Sequence, residues 1–184
     1  MKTLLIDEEI KYEGWQLSPH WIYRNFKIQG DAIVAFTGEC EVKIGEMVDI
    51  EDVINNEPIY SKNMLSFITE QFNVNLVEGV FRQRLLICII KEALERRGVK
   101  VDRFGDDLYV NCKKLTVSIA TKSLTSILIH TGVNINPQGA PVNAAGLETD
   151  LGIKDINDFA KEIMQRYSEE IDDIILASTK VRGV

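Results

Sequence analysis

The stretch GDDLYVNCKKLTVSIAT, from Gly105 to Thr121, sets a lysine at the head of a row of small side chains. Read as a hairpin, Asp107 to Val110 runs out, Asn111-Cys112-Lys113 turns, and Lys114 to Ala120 returns. Alternate residues of a strand point to opposite faces. Lys114, Thr116, Ser118 and Ala120 therefore share one face, and Leu115, Val117 and Ile119 the other. The second face is core material. The first leaves volume beside a cation, which favours an anionic small molecule.

The following run, LTSILIHTGVNIN, supplies neighbours. If Ile127 and Ile129 share the core face with Leu115, Val117 and Ile119, then His130, Gly132 and Asn134 join Lys114. A slip of one residue would invert every side chain. A short turn near Lys122 then sets Lys114 opposite His130. The candidate constellation is Lys114 with Thr116, Ser118, His130, Gly132 and Asn134. The plainer alternatives are a solvated hairpin lysine and a structural histidine. Arg82 and Arg84 fall in the early turns of a helix, where the dipole disfavours cations. Each needs a nearby acid, such as Glu70 or Glu78, or an anionic ligand.

The elements that must position these residues are legible in outline. A short strand at Thr3–Ile6 precedes LSPHWIYRNFKIQG, which reads as a helix with Ser18 as N-cap, Pro19 in the first turn and Gly30 past its end. DAIVAFTG and MLSFITEQFNV suggest strands, and VFRQRLLICIIKEALERRG a helix that is apolar nearly all round and closed by Gly98. Asn136 to Gly152 holds two prolines and three glycines, and a loop of this length is commonly a lid or a binding loop. Ile156, Phe159, Ile163, Tyr167, Ile171 and Ile174 then follow helical spacing. This order predicts an α+β fold, a mainly antiparallel sheet packed by helices. From Asp31 to Pro58 the chain carries eight acids against the single base Lys43, which reads most simply as a solvated face.

At 184 residues the chain predicts one domain, 1–184. A net charge of −7 argues against nucleic-acid or anionic-membrane partners, which require a basic surface. No segment approaches the roughly 18 apolar residues of a membrane span. The N-terminus turns acidic too soon for a signal peptide, and Cys40, Cys88 and Cys112 form no CxxC pair, so cytoplasmic residence and no metal centre are expected.

DDLYVNCKKL followed by TGVNIN resembles the catalytic core of the biotin and lipoate protein ligases and the related octanoyl transferases. The resemblance implies a class II synthetase, biotin/lipoate ligase-like fold, with Lys114 rather than Lys113 as the essential lysine. In those ligases the lysine neutralises a substrate carboxylate and the α-phosphate of ATP, so an acyl-adenylate can form; ATP and Mg²⁺ are the cofactors this implies. It further implies that Asp106, Asp107 and Asn134 stand at nucleotide and neighbouring polar contacts. His130 falls at the histidine of the octanoyl transferases, and Thr37 and Gly38 belong to a flanking loop. On SPHWIYRNFKIQGDAIVAFTGECEV, MLSFITEQF, RQRLL and KVRGV, the whole chain is similar to an uncharacterised archaeal and bacterial family of unknown function, related in fold to those ligases.

Three departures shape the expectation. The glycine of the lysine motif is Val117 here. The arginine- and glycine-rich loop of the ligases is replaced by FTGECEVKIGEMVD, and no arginine occurs between Arg24 and Arg82. An acidic loop suits a cationic or amine-bearing ligand better than a bare triphosphate. The cysteine nucleophile of octanoyl transferases has no counterpart in NAAGLETDLG, so thioester acyl transfer is not expected. The expected function is a pocket centred on Lys114 for a small carboxylate, nucleotide or acyl-adenylate-like ligand. Carboxylate activation or acyl transfer to an amine is the enzymatic version. A non-catalytic binding protein and a structural protein on the same fold are the alternatives, and a homodimer stays open.

Overall fold

The computed structural model describes residues 1–183; Val184, the last residue of KVRGV, lies outside the described residues. Strands β1 (Lys2–Leu5), β2 (Ala32–Val42), β3 (Ile59–Phe72), β7 (Thr116–Lys122) and β8 (Ser126–Asn136) form one sheet in the order β1-β2-β3-β8-β7. Only the β1–β2 pair is parallel. A smaller sheet joins β4 (Asp102–Phe104), β5 (Asp107–Val110) and β6 (Lys113–Lys114), all antiparallel.

Both faces of the large sheet are covered. On one, Ile33, Ala35, Leu65, Phe67 and Val133 meet α3 (Leu76–Arg96) and α4 (Ile156–Thr179). Helix α4 docks through Phe159, Ile163, Tyr167 and Ile171, one apolar stripe at helical spacing. Ile174, expected on that stripe, is about half exposed. On the other face, Val34, Phe36, Met64 and Ile68 pack against Tyr12, Trp21 and Ile22.

Two elements differ from expectation in ways that bear on function. The first helix, α1, spans only Trp21–Phe26, because His20 and Lys27 take left-handed backbone angles at its two ends. The β2–β3 connection, part of the acidic stretch expected as a solvated face, buries no residue in either of its elements but carries helical structure that was not expected, a 3-10 turn at Ile44–Glu46 and a short helix α2 (Ile50–Asn55). Asp49 caps α2 by accepting the Glu51 N–H at 2.8 Å.

Candidate functional site

Lys114 is fixed by its backbone on two sides. Tyr109 of β5 pairs with it, while its N–H donates to Asn143 O at 2.9 Å and its carbonyl accepts from Ala145 N–H at 2.9 Å. The preceding turn is the two-residue Asn111-Cys112, not the expected Asn111-Cys112-Lys113. Both turn residues have positive φ, 50° and 62°, the backbone that a tight hairpin needs. Lys113 opens β6, and its ammonium donates to Asp150 at 2.8 Å.

The expected return strand is broken at Leu115, where the chain leaves the small sheet for the large one. Leu115 N–H donates to Leu108 O at 2.8 Å, and Leu115 O accepts from Asn134 N–H at 3.0 Å. The break shifts the alternation by one residue. Lys114 and Val117, three apart, now line the same cavity, which a continuous pleat forbids. The register pairs Ile119, not Lys114, with His130, and Val117 with Gly132. Thr116 is turned away: its hydroxyl accepts the Leu108 N–H at 2.8 Å. Ser118 remains at the cavity's edge, bonded to Thr131 Oγ1 at 2.8 Å and His130 O at 3.1 Å.

The cavity measures about 440 Å³, within the range of small-molecule sites. It lies over β3, β8 and β7 on the face away from α3 and α4. Met64, Val117 and Ile119 make its apolar floor, and Leu17, Val42 and Met47 extend it. Tyr12 stacks on His130 with ring centroids 3.7 Å apart and planes inclined by 13°. His130 is buried, its Nε2 lies 3.3 Å from Ser66 Oγ, and burial lowers its pKa to about 3. Its imidazole is therefore neutral and offers no positive charge to a ligand.

Lys114 Nζ sits 3.0 Å from Asp107 Oδ2, with both side chains about 70% buried. An ammonium has three N–H donors, so this pair leaves donors for a ligand. Beside it, Asp106 is held by Gln83 Nε2 at 2.8 Å and Arg84 Nη2 at 3.3 Å. Arg84 thus has an acid partner, though not the one expected. Arg82 has the expected one: it pairs with Glu78 at 2.5 Å and donates to Gln71 at 2.8 Å. Neither arginine lines the cavity.

Asn134 and Tyr12 are the most informative groups. They are 5% and 4% exposed, and both line the cavity. Only their backbone atoms appear in hydrogen bonds: among the described residues the Asn134 amide and the Tyr12 hydroxyl have no protein partner. Neither belongs to the unpartnered atoms sealed from solvent, such as Trp21 Nε1 and Thr69 Oγ1, so both keep access to the cavity. Nearly all buried polar side chains are bonded, and an exception open to a cavity calls for a ligand or ordered water.

The structure therefore brings together Lys114, Asp106, Asp107, Ser118, His130 and Asn134. It leaves Thr116, Gly132, Arg82 and Arg84 outside the lining, and likewise Thr37 and Gly38, which lie within strand β2 rather than in a flanking loop. At Gly132 a Cβ would lie 2.2 Å from Met64 Sδ, so this glycine serves the floor's packing. At Gly38 a Cβ would fall 2.3 Å from the Ile10 carbonyl oxygen, so this glycine admits the N-terminal segment against β2. That segment delivers Tyr12, which sequence reasoning missed; nothing in its local pattern marks it. The acids Glu46, Asp49, Asp52 and Glu57 also border the cavity; Glu46 and Glu57 are exposed, as their sequence suggests, while Asp49 and Asp52 are half-buried.

Among the described residues no cluster of three or more His, Cys, Asp or Glu is placed to hold a metal ion, and no helix is long and apolar enough to cross a membrane. Cys40 is buried with its thiol pushed up to about 12, chiefly by burial, and Cys112 is exposed in the hairpin turn.

Comparison with known proteins places this architecture. The chain is 41% identical over 180 residues to an uncharacterised protein of Methanocaldococcus jannaschii, covering 95% of this chain and 81% of that one. A solved protein of unknown function from Pyrococcus horikoshi is 42% identical, with a TM-score of 0.95 over 100% of this chain and 99% of that one. More distant structures share the fold. The biotin protein ligase from Aquifex aeolicus, in complex with biotin and ATP, is 14% identical with a TM-score of 0.60, over 93% and 70% of the two chains. The bi-partite lipoate protein ligase from Thermoplasma acidophilum is 12% identical with a TM-score of 0.60, over 91% and 83%. The fold is accordingly the α+β, antiparallel-rich architecture of the biotin and lipoate ligases. Residues 1–182 match the domain of unknown function DUF366, and the chain belongs to that family.

Proposed function

We propose that this protein binds a small organic ligand in the cavity at Lys114, with the ligand's carboxylate or acyl end at Lys114, Asn134 and Tyr12. The observation that carries this reading is the unpartnered side-chain amide of Asn134, a residue only 5% exposed on a cavity wall. A hydrogen bond from such an amide to a charged oxygen is worth about 1.5–3 kcal/mol, which a bound carboxylate would gain. Lys114 stands beside it with donors to spare, and a structure sharing this fold is a ligase in complex with biotin and ATP.

Carboxylate activation is the reaction class that this arrangement supports. A carboxylate oxygen would attack the α-phosphorus of ATP, pyrophosphate would leave, and an amine would then attack the acyl carbon and release AMP. Lys114 would act electrostatically, holding two anions together as negative charge builds between them. Any Mg²⁺ would arrive with the nucleotide phosphates rather than on a resident ligand set. Non-catalytic binding is favoured by one observation: Lys114 is already paired with Asp107, and further carboxylates face the cavity, which opposes a triphosphate.

A thermal-shift panel tests the binding reading, using ATP·Mg²⁺, AMP, biotin, lipoate, octanoate, acyl-CoA and amines on wild type and Lys114→Ala. A ligand at 100 times its Kd stabilises by about 2.7 kcal/mol, or about 5–11 °C for a chain of this size. A shift seen in wild type and lost in Lys114→Ala supports the reading. Shifts of equal size in both proteins would move the site elsewhere. Pyrophosphate exchange then separates activation from binding alone.

A further inference from the structure

The charge of the cavity wall specifies the other end of the ligand, and this inference rests on the binding reading above. Glu46, Asp49, Asp52 and Glu57 face the cavity from the β2–β3 connection. The bases around the site are already engaged: Lys114 with Asp107, Arg84 with Asp106, and Lys11 with Glu39 and Glu41. Lys43 is exposed and lines no part of the cavity. None of the ion pairs among the described residues involves the four wall acids; Asp49 accepts only the Glu51 backbone N–H. Asp52 registers the crowding. Its carboxyl is held above the usual carboxylate range, first by partial burial and then by the charges of Asp49 and Glu57, against the opposing pull of Lys114.

An acidic wall alone would be a solvated surface. Here it lines the same cavity as the unpartnered Asn134 amide and Tyr12 hydroxyl, on residues that are 5% and 4% exposed, above the apolar floor of Met64 and Val117. The two sets of groups ask for different chemistry. Lys114 and Asn134 suit an oxygen-bearing, anionic end, while the wall suits a cation. Because no three carboxylates converge on one point among the described residues, the wall is not built to coordinate a metal ion. An ammonium or guanidinium needs no fixed coordination number and can hydrogen-bond several loosely arranged carboxylates.

We propose that the ligand is a small amphiphile with an amine or guanidine at one end, held by the wall acids Asp49, Asp52 and Glu57, and a carboxyl or acyl group at the other, held by Lys114 and Asn134. Its apolar body would lie across the floor. An amino acid with its amine and carboxyl separated by an aliphatic chain has this charge distribution.

Three probes of equal chain length isolate the cationic end: octanoate, octylamine and 8-aminooctanoate, titrated calorimetrically into wild type and into the double variant Asp52→Asn/Glu57→Gln. The expected result is that 8-aminooctanoate binds wild type about tenfold or more tightly than octanoate, about 1.4 kcal/mol. That advantage should shrink in the double variant and with added salt, while octanoate affinity holds or rises. A thermal melt of the variant confirms that it folds. Octanoate binding as tightly as 8-aminooctanoate, with sensitivity to Asn134→Ala, would overturn the inference and leave the binding reading standing. Failure of all three probes at millimolar concentration also overturns it, and the ligand panel then judges the binding reading separately. Mg²⁺ alone binding wild type and not the double variant would make the wall a metal site, which likewise contradicts the proposal.

Discussion

Asn134 and His130 sit on one face of β8, four residues apart, yet they are arranged for opposite ends. The Asn134 amide has no protein partner, so its hydrogen-bonding capacity adds nothing to the unliganded fold. Asn134→Ala should therefore leave stability to urea within about 0.5 kcal/mol of wild type or raise it slightly. Ligand affinity should meanwhile fall by about tenfold or more, the worth of a hydrogen bond to a charged group. Chemical denaturation and calorimetry on the same variant separate the two effects. His130 stacks on Tyr12 and meets Ser66. Its pKa is about 3 in the fold against 6.5 when free, so between these values the unfolded chain binds the proton and the native protein does not. Its contribution to stability is whole above pH 6.5 and is lost as the pH falls toward 3, with a slope of about 1.4 kcal/mol per pH unit. Replacing it in His130→Gln should flatten the denaturation midpoint's dependence on pH across that window.

Elements explain where the sequence was readable. Helices α3 and α4 and strands β2, β3 and β8 carry apolar patterns that locate them, although α3 begins at Leu76 rather than Val80, β3 at Ile59 rather than Met64, and β2 runs on past Gly38 to Val42. The hairpin after Asp107 was also legible, as was Lys114 at its return. Its continuation was not. Alternation fixes faces only while a strand is continuous, and Leu115 passes from one sheet to the other through two backbone hydrogen bonds that no side-chain pattern encodes. Thr116 and Gly132, which continuous alternation puts beside a ligand, therefore serve hydrogen bonding and packing. Tyr12 was hidden for a related reason. It reaches the cavity because a segment without regular structure runs along β2, bonding Ile10 N–H to Thr37 O at 2.9 Å and Tyr12 N–H to Glu39 O at 2.8 Å. That approach depends on Gly38, whose missing Cβ makes room for the Ile10 carbonyl. Gly38→Ala should destabilise the protein by about 1–3 kcal/mol through overpacking. Thermal denaturation would show it, and hydrogen exchange should find the loss of protection concentrated at Ile10 and Tyr12.

The whole molecule carries a net charge of −7 and gathers part of that excess around its cavity. Neighbouring acids without a basic partner on a partly buried wall repel one another, and functional sites are where a protein commonly carries such local conflicts. Asp52→Asn should therefore raise the melting temperature of the unliganded protein, by a smaller margin at high salt, where repulsion is already screened. The fold is shared with ligases of low sequence identity, and a shared fold leaves chemistry open. The proposed binding site rests on the unpaired Asn134 amide beside Lys114. The most direct test is the pair of side-chain amide NMR resonances of Asn134, assigned by their loss in Asn134→Ala and followed while the strongest ligand from the thermal-shift panel is titrated in. Saturable movement of those two resonances, abolished in Lys114→Ala, is the predicted result. If they stay fixed while the ligand saturates the protein, the ligand binds elsewhere and the account is wrong.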